Sequence, residues 1–233
     1  MFKKLSVLIP VYNEKDTIKE CLEAVLKADI GSLDLEVIIS DNNSIDGTKE
    51  ILSKIIDPRV KILYRDKNNG KGANIKNALK EANGDLILFQ DGDLEYSPND
   101  YVNLIEPFLK FNADVVYGSR LTRAKATSIV GFPNYIGNIL FTFLTNMLFN
   151  KIFTDIATGY KVFKKDIIKD LEIISDGFEI EPEITAKLSR NKNIRIFEVP
   201  ITINSRGYKD GKKVKWWHFF SYIYSIVKWR FKN

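Results

Sequence analysis

Asp85-Leu-Ile-Leu-Phe-Gln-Asp-Gly-Asp-Leu-Glu-Tyr-Ser-Pro98 is a short apolar run that ends on carboxylates. Residues 86–90 have the length and composition of a buried parallel strand. Asp91 and Asp93 follow at its C-terminal end, on a turn softened by Gly92, with Glu95 just beyond. In open α/β sheets ligands sit outside the carboxyl ends of the strands. Carboxylates in that place are suited to hold a hard divalent cation, which in turn neutralises phosphate oxygens.

Working outward, the same alternation recurs. Leu5–Pro10, Leu35–Ser40, Val60–Tyr64 and Asp114–Gly118 read as further short buried strands. Helical stretches run between them to about Ala28, Ile56 and Glu81, and Ser44 or Asp46 is placed to cap the second. Strands alternating with helices predict βαβ units, hence an α/β fold with a doubly wound, mainly parallel sheet flanked by helices. Four polar loops then follow four strands at one edge: residues 10–14, 41–48, 68–72 and 91–95. The second half is less regular. It offers an apolar helical stretch at 129–150, a short strand near Tyr160–Phe163, helices around 164–174 and 180–190, and a last strand at Ile194–Val199.

A chain of 233 residues with 45% hydrophobic residues suits one α/β domain with ample core. The single cysteine, Cys21, excludes a disulfide framework and any cysteine-based zinc site. It falls on the apolar face Ile18, Cys21, Leu22, Val25, Leu26 and is expected in the core of a protein from a reducing cytosol. No signal-peptide core and no transmembrane helix is expected, because polar residues interrupt even the 129–149 stretch. The net charge of +5 suits an anionic partner. No nucleic-acid motif is recognisable, so no nucleic acid is expected.

Taken together, Pro10-Val-Tyr12-Asn13-Glu14, Asp41 with Ser44, Asp46, Gly47 and Thr48, Gly70-Lys71-Gly72 and Asp91-Gly-Asp93 resemble the successive motifs of inverting family 2 glycosyltransferases. Those have the nucleotide-diphospho-sugar-binding fold called GT-A. Gly118-Ser119-Arg120, Asp155 with Thr158-Gly159-Tyr160-Lys161, Phe178-Glu179-Ile-Glu181, Glu198-Val-Pro200 and the basic run Arg206 to Lys213 resemble the branch that makes polyprenyl-phosphate sugars. That branch contains dolichyl-phosphate mannose and glucose synthases. The resemblance implies a GT-A domain over 1–213, with a nucleotide-sugar half (1–120) and an acceptor half (121–213), then an amphipathic segment at 214–233. It implies that Pro10, Tyr12, Asn13, Glu14 and Asp41 hold base and ribose. Lys71 would sit near the nucleotide or its diphosphate, with Asp91 beside it.

The chemistry is intelligible from the groups themselves. A diphosphate leaving group develops negative charge that must be stabilised. Mg²⁺ or Mn²⁺ held by Asp93, with Asp91 and Glu95, would serve as the Lewis acid. A lipid phosphate, with its second pKa near about 6, is largely dianionic at neutral pH and attacks the anomeric carbon without a general base. What it needs is cationic positioning, for which Arg120, Arg123, Arg206 and Lys212 are the candidates. The expectation is a metal-dependent transferase moving mannose or glucose from GDP-mannose or UDP-glucose to a polyprenyl phosphate. It would be cytoplasmic and peripheral at the cytoplasmic face of a membrane, with room for a membrane-anchoring partner.

Two departures from the branch stand out. Asn42 follows Asp41 where the family often has a second acid. Residues 134–138 read Asn-Tyr-Ile-Gly-Asn where the branch places an arginine, so a phosphate ligand is missing or comes from Arg123 or Lys125. An alternative acceptor is a sugar hydroxyl, which needs a carboxylate base such as Glu181 or Glu179. Against it, Gln90 is the only glutamine, so the Gln-X-X-Arg-Trp signature of processive synthases is absent. A third reading, a non-catalytic nucleotide-binding module, is opposed by the two acidic residues of the Asp91 turn. The tail interleaves Trp216, Trp217, Phe219, Phe220, Tyr222 and Tyr224 with basic residues. It suits either a membrane interface or packing back on the domain.

Overall fold

A computed structural model describes residues 2–122, 125, 132–204 and 218–232. The strands are β1 (Lys4–Val11), β2 (Asp34–Asp41), β3 (Val60–Tyr64), β4 (Leu86–Phe89), β5 (Val115–Ser119), β6 (Lys161–Lys164) and β7 (Ile196–Pro200). The helices are α1 (Ile18–Leu26), α2 (Thr48–Leu52), α3 (Lys71–Glu81), α4 (Tyr101–Lys110), α5 (Phe132–Phe149), α6 (Lys165–Lys169), α7 (Ile180–Arg190) and α8 (His218–Phe231). The strands form one sheet in the order β3-β2-β1-β4-β6-β5-β7. Only β6 runs against its neighbours, pairing antiparallel with both β4 and β5.

The central strands β1 and β4 are mostly apolar because helices cover both sheet faces. Their period-two alternation divides the core in two. Leu5, Val7 and Ile9 of β1 join Leu86 and Leu88 of β4 on one face, where α1 contributes Ile18, Cys21, Leu22 and Val25 and α4 contributes Leu104 and Phe108. Leu8, Ile87 and Phe89 point to the other, against Ile75 and Ala78 of α3 and Ile180, Ile184 and Leu188 of α7. Cys21 is buried in the first of these clusters, as expected.

The predicted strands and helices of the first half are present, with α2 stopping at Leu52 short of Asp57-Pro58. The residue before a proline is biased away from helix, which limits any extension. Helix α4 had no counterpart in the sequence reading. The predicted helix over 164–174 shrinks to Lys165–Lys169. The tail helix α8 packs on α5 and α7. It buries Tyr222, Ile226 and Trp229 and leaves Phe220, Tyr224 and Phe231 exposed. Helix α5 likewise buries Phe141, which touches the rings of Phe219 and Tyr222, while Phe143 and Met147 face outward. No described helix is long and apolar enough to cross a membrane.

Candidate active site

The polar loops meet at the carboxyl edge of β1, β2 and β4 and are stitched to one another. Asn13, in the left-handed region at φ 52°, donates its N–H to Ser44 Oγ at 2.8 Å. Its side-chain oxygen accepts from the Ile45 N–H at 2.9 Å. The Glu14 N–H donates to Thr48 Oγ1 at 2.9 Å, and Asn42 reaches across to Asn68 and the Gly70 carbonyl. Asp41 closes β2 with no exposed surface. Its Oδ2 accepts from the Ser44 N–H at 3.1 Å, and its buried Oδ1 has no hydrogen-bond partner. A buried, unsatisfied carboxylate oxygen is costly and is explained when a ligand supplies the donor.

Lys71 opens α3 at this edge, behind Gly70 at φ 99°. A Cβ on Gly70 or on Gly72 would collide with the backbone of residues 175–177, which fixes where the helix starts. The Lys71 ammonium lies 2.7 Å from Asp91 Oδ1 and 3.3 Å from Glu181 Oε1 on α7. Glu181 Oε2 is 2.5 Å from the buried Lys161 of β6, whose ammonium also donates to the Thr158 carbonyl. Burial works against the Lys71 charge, but Asp91 and Glu181 outweigh it and hold its pKa well above the ordinary value. For Lys161 burial prevails over Glu181 and the pKa is lowered.

A Cβ on Gly159 would stand 2.5 Å from Asp91 Oδ2 and 3.0 Å from the Tyr96 ring. Gly159→Ala is therefore expected to displace Asp91 from Lys71 and lower turnover about tenfold or more, at a stability cost of about 1–3 kcal/mol that leaves the protein folded. Steady-state rates beside a thermal melt check this; an unaltered rate would show that the placement of Asp91 is immaterial.

Arg120 follows β5. Its Nε and Nη2 donate to the two oxygens of Asp155 at 2.7 and 2.8 Å, and Nη1 approaches Tyr96 Oη at 3.4 Å. Asp155 is fully buried and also accepts from Asn138 of α5 at 2.8 Å. Glu198 accepts the backbone N–H groups of Thr154 and Asp155, fixing the turn that presents the carboxylate. Beneath lies a polar floor: Tyr101 and Tyr160 both donate to Gln90 Oε1, at 2.8 and 2.6 Å, while Tyr160 stacks on Tyr96.

The structure thus brings Pro10, Tyr12, Asn13, Glu14, Asp41, Lys71, Asp91, Asp93, Glu95 and Arg120 to the strand ends, loops and helix start of one sheet edge. Arg123, Arg206 and Lys212 lie outside the described residues. Lys125 is ion-paired with Asp100, whose other oxygen takes the Thr202 N–H. The expected three-carboxylate metal set is not assembled. Among the described residues no three Asp, Glu, His or Cys side chains are gathered for a metal, and Asp91 is paired with Lys71 instead. The donor set still fits a Mg²⁺-type ion, which is commonly held by one or two carboxylates with substrate phosphates completing the shell. Sequence reasoning gave no role to Asn138, Tyr96 or the Gln90 floor. Their partners are 17, 24 and 70 residues away, and no local pattern signals them.

The sheet order, with one reversed strand and an acidic turn after β4, defines the GT-A class of fold. Glucosyl-3-phosphoglycerate synthase from Mycobacterium tuberculosis, solved with Mn²⁺, UDP-glucose and phosphoglyceric acid, superposes with a TM-score of 0.75 at 17% identity, covering 98% of this chain and 80% of that one. Residues 6–172 match glycosyl transferase family 2, and the chain belongs to that family. The dolichol-phosphate mannosyltransferase of Pyrococcus furiosus is 28% identical over 97% of the chain, and glycosyltransferase AglJ of Haloferax volcanii 26% identical over 86%. The chain spans 64% and 63% of the lengths of these two relatives.

Proposed function

We propose that this chain moves a hexose, with inversion, from a nucleotide-diphosphate sugar to a polyprenyl phosphate. One observation carries the choice of acceptor: of the two candidate bases for a hydroxyl, Glu181 is held between the ammonium groups of Lys71 and Lys161, and Glu179 turns back to accept the Gly177 N–H. Both oxygens of Glu181 face ammonium groups, so neither is turned toward an acceptor hydroxyl. A phosphate dianion asks for no base and is matched by the guanidinium of Arg120. The likeness to a dolichol-phosphate mannosyltransferase supports the same acceptor and favours mannose over glucose.

On the donor side, the free Asp41 oxygen suits an N–H of the base, the Asn13 turn the ribose, and Lys71 the diphosphate. Mg²⁺ or Mn²⁺ on Asp93 would offset the charge of the leaving diphosphate. Solved relatives of the same fold carry Mn²⁺ or Mg²⁺ with UDP, which supports a divalent cation. The exposed apolar residues of α5 and α8, with the basic groups Lys228 and Arg230 in the last turn of α8, suit a peripheral position on a cytoplasmic membrane face.

The test incubates the protein with MnCl₂, radiolabelled GDP- and UDP-sugars, and a short polyprenyl phosphate in vesicles. Label entering the organic phase from one donor is the expected result and names the sugar. Donor binding or hydrolysis without labelled lipid would overturn the acceptor and turn attention to glycan hydroxyls.

A further inference from the structure

A closed ring of contacts runs through the site. Asp91 after β4 pairs with Lys71, Lys71 with Glu181, and Glu181 with Lys161. Lys161 donates to the Thr158 carbonyl, and the next residue, Gly159, lies against Asp91 Oδ2. Two members of this ring, Glu181 and Lys161, have no part in the transfer proposed for the site. Both are buried, Lys161 completely. A buried ion pair is a poor source of stability, since desolvation offsets the attraction and apolar residues would join β6 to α7 as well.

The geometry around Lys71 is unequal. Its ammonium is 2.7 Å from Asp91 but 3.3 Å from Glu181 Oε1, and that oxygen is buried without a hydrogen bond. Glu181 therefore holds an unfilled acceptor toward the lysine. Its other oxygen is locked by Lys161, which keeps the carboxylate turned toward Lys71.

We propose that the Lys161–Glu181 pair is a positioning device for the donor site. It keeps Lys71 poised beside Asp91, and an arriving diphosphate draws the lysine off Asp91 and onto Glu181. Lys71 then serves two anions, the phosphate and Glu181, and the Asp91 carboxylate is released at the acidic turn for the cation that accompanies the donor. Charge stays balanced throughout, because Lys161 offsets Glu181 whichever partner Lys71 takes. The inference rests on the nucleotide-sugar reading of the site.

The experiment is a double-mutant cycle on nucleotide binding, read by calorimetric titration of UDP and GDP with MnCl₂. Lys161→Met/Glu181→Gln is compared with wild type, and the same two changes are made on a Lys71→Met background. The paired change is expected to weaken binding about tenfold in the wild-type background and less than about twofold once Lys71 is gone, since its effect runs through that lysine. Equal losses in both backgrounds, or a lowered melting temperature with unchanged affinity, would overturn the proposal in favour of a structural pair. If the paired variant does not fold, Glu181→Gln alone takes its place in the cycle and is read in the same way. Wild-type protein that binds neither nucleotide with Mn²⁺ would defeat the functional reading itself, a separate outcome.

Discussion

Asp93→Asn is expected to lower turnover at least about 10³-fold while the protein stays folded. The developing charge on a diphosphate leaving group is the largest electrostatic change in the transfer, and countering it is worth several kcal/mol. About 4 kcal/mol corresponds to the stated factor. Asp93 is the acidic-turn carboxylate to watch, because Asp91 is already paired with Lys71. The substitution is chosen to remove charge and keep shape. Asp93 Oδ1 accepts from the Glu95 N–H at 3.2 Å, next to Leu94 in the left-handed region at φ 61°. An amide oxygen preserves that bond and so preserves the strained turn. Rates measured across a Mn²⁺ titration should show the variant insensitive to the metal. Turnover within tenfold of wild type would remove Asp93 from the reaction.

The sheet was legible because its middle strands are buried on both faces, which writes them as continuous apolar runs such as Leu86–Phe89. Strand direction was not. Lys161-Val-Phe-Lys164 has a lysine at each end and no periodicity that encodes reversal. Its first lysine is buried by a glutamate 20 residues on, a pairing visible only in three dimensions. Helix α4 carries an apolar spacing of Tyr101, Leu104, Ile105 and Phe108, with Pro107 inside it as a misleading stop signal. In the site, Asp41, Lys71, the Asp91 turn and Arg120 were legible because each stands at a strand end or helix start. Their partners were not. Asp155 and Glu181 lay within motifs, yet only the fold shows one fixing an arginine and the other shared between two lysines. That sharing makes one candidate base a holder of cations, which no reading of the motif alone could reveal.

Arg120→Met should reduce kcat/KM for the phosphate acceptor at least about 30-fold, the lower end for truncating a charged hydrogen-bonding partner. The affinity for nucleotide should stay within about twofold, since Arg120 sits after β5 and away from Asp41. Arg120→Lys should not rescue it, because an ammonium cannot span both oxygens of Asp155 as Nε and Nη2 do. The methionine variant also leaves Asp155 buried with only the Asn138 amide and a backbone N–H. Breaking a buried pair costs about 3–5 kcal/mol, and the partial exposure of Arg120 (24%) places this one at the low end. The cost carries a pH signature. Burial pushes the Asp155 carboxyl up, but the Arg120 charge and the hydrogen bonds of Arg120 and Asn138 outweigh it and hold the pKa below the ordinary 3.8. A carboxylate depressed in the folded state adds stability above its unfolded pKa and loses it as pH falls through the folded one. Urea midpoints should therefore separate wild type from Arg120→Met fully at pH 7, with the gap closing below about pH 4. A gap that persists undiminished into acid would mean that Arg120 stabilises the fold by packing and not by its charge. Arg120 would then have no anchored guanidinium to offer a phosphate, and the acceptor assignment would fall with the pair.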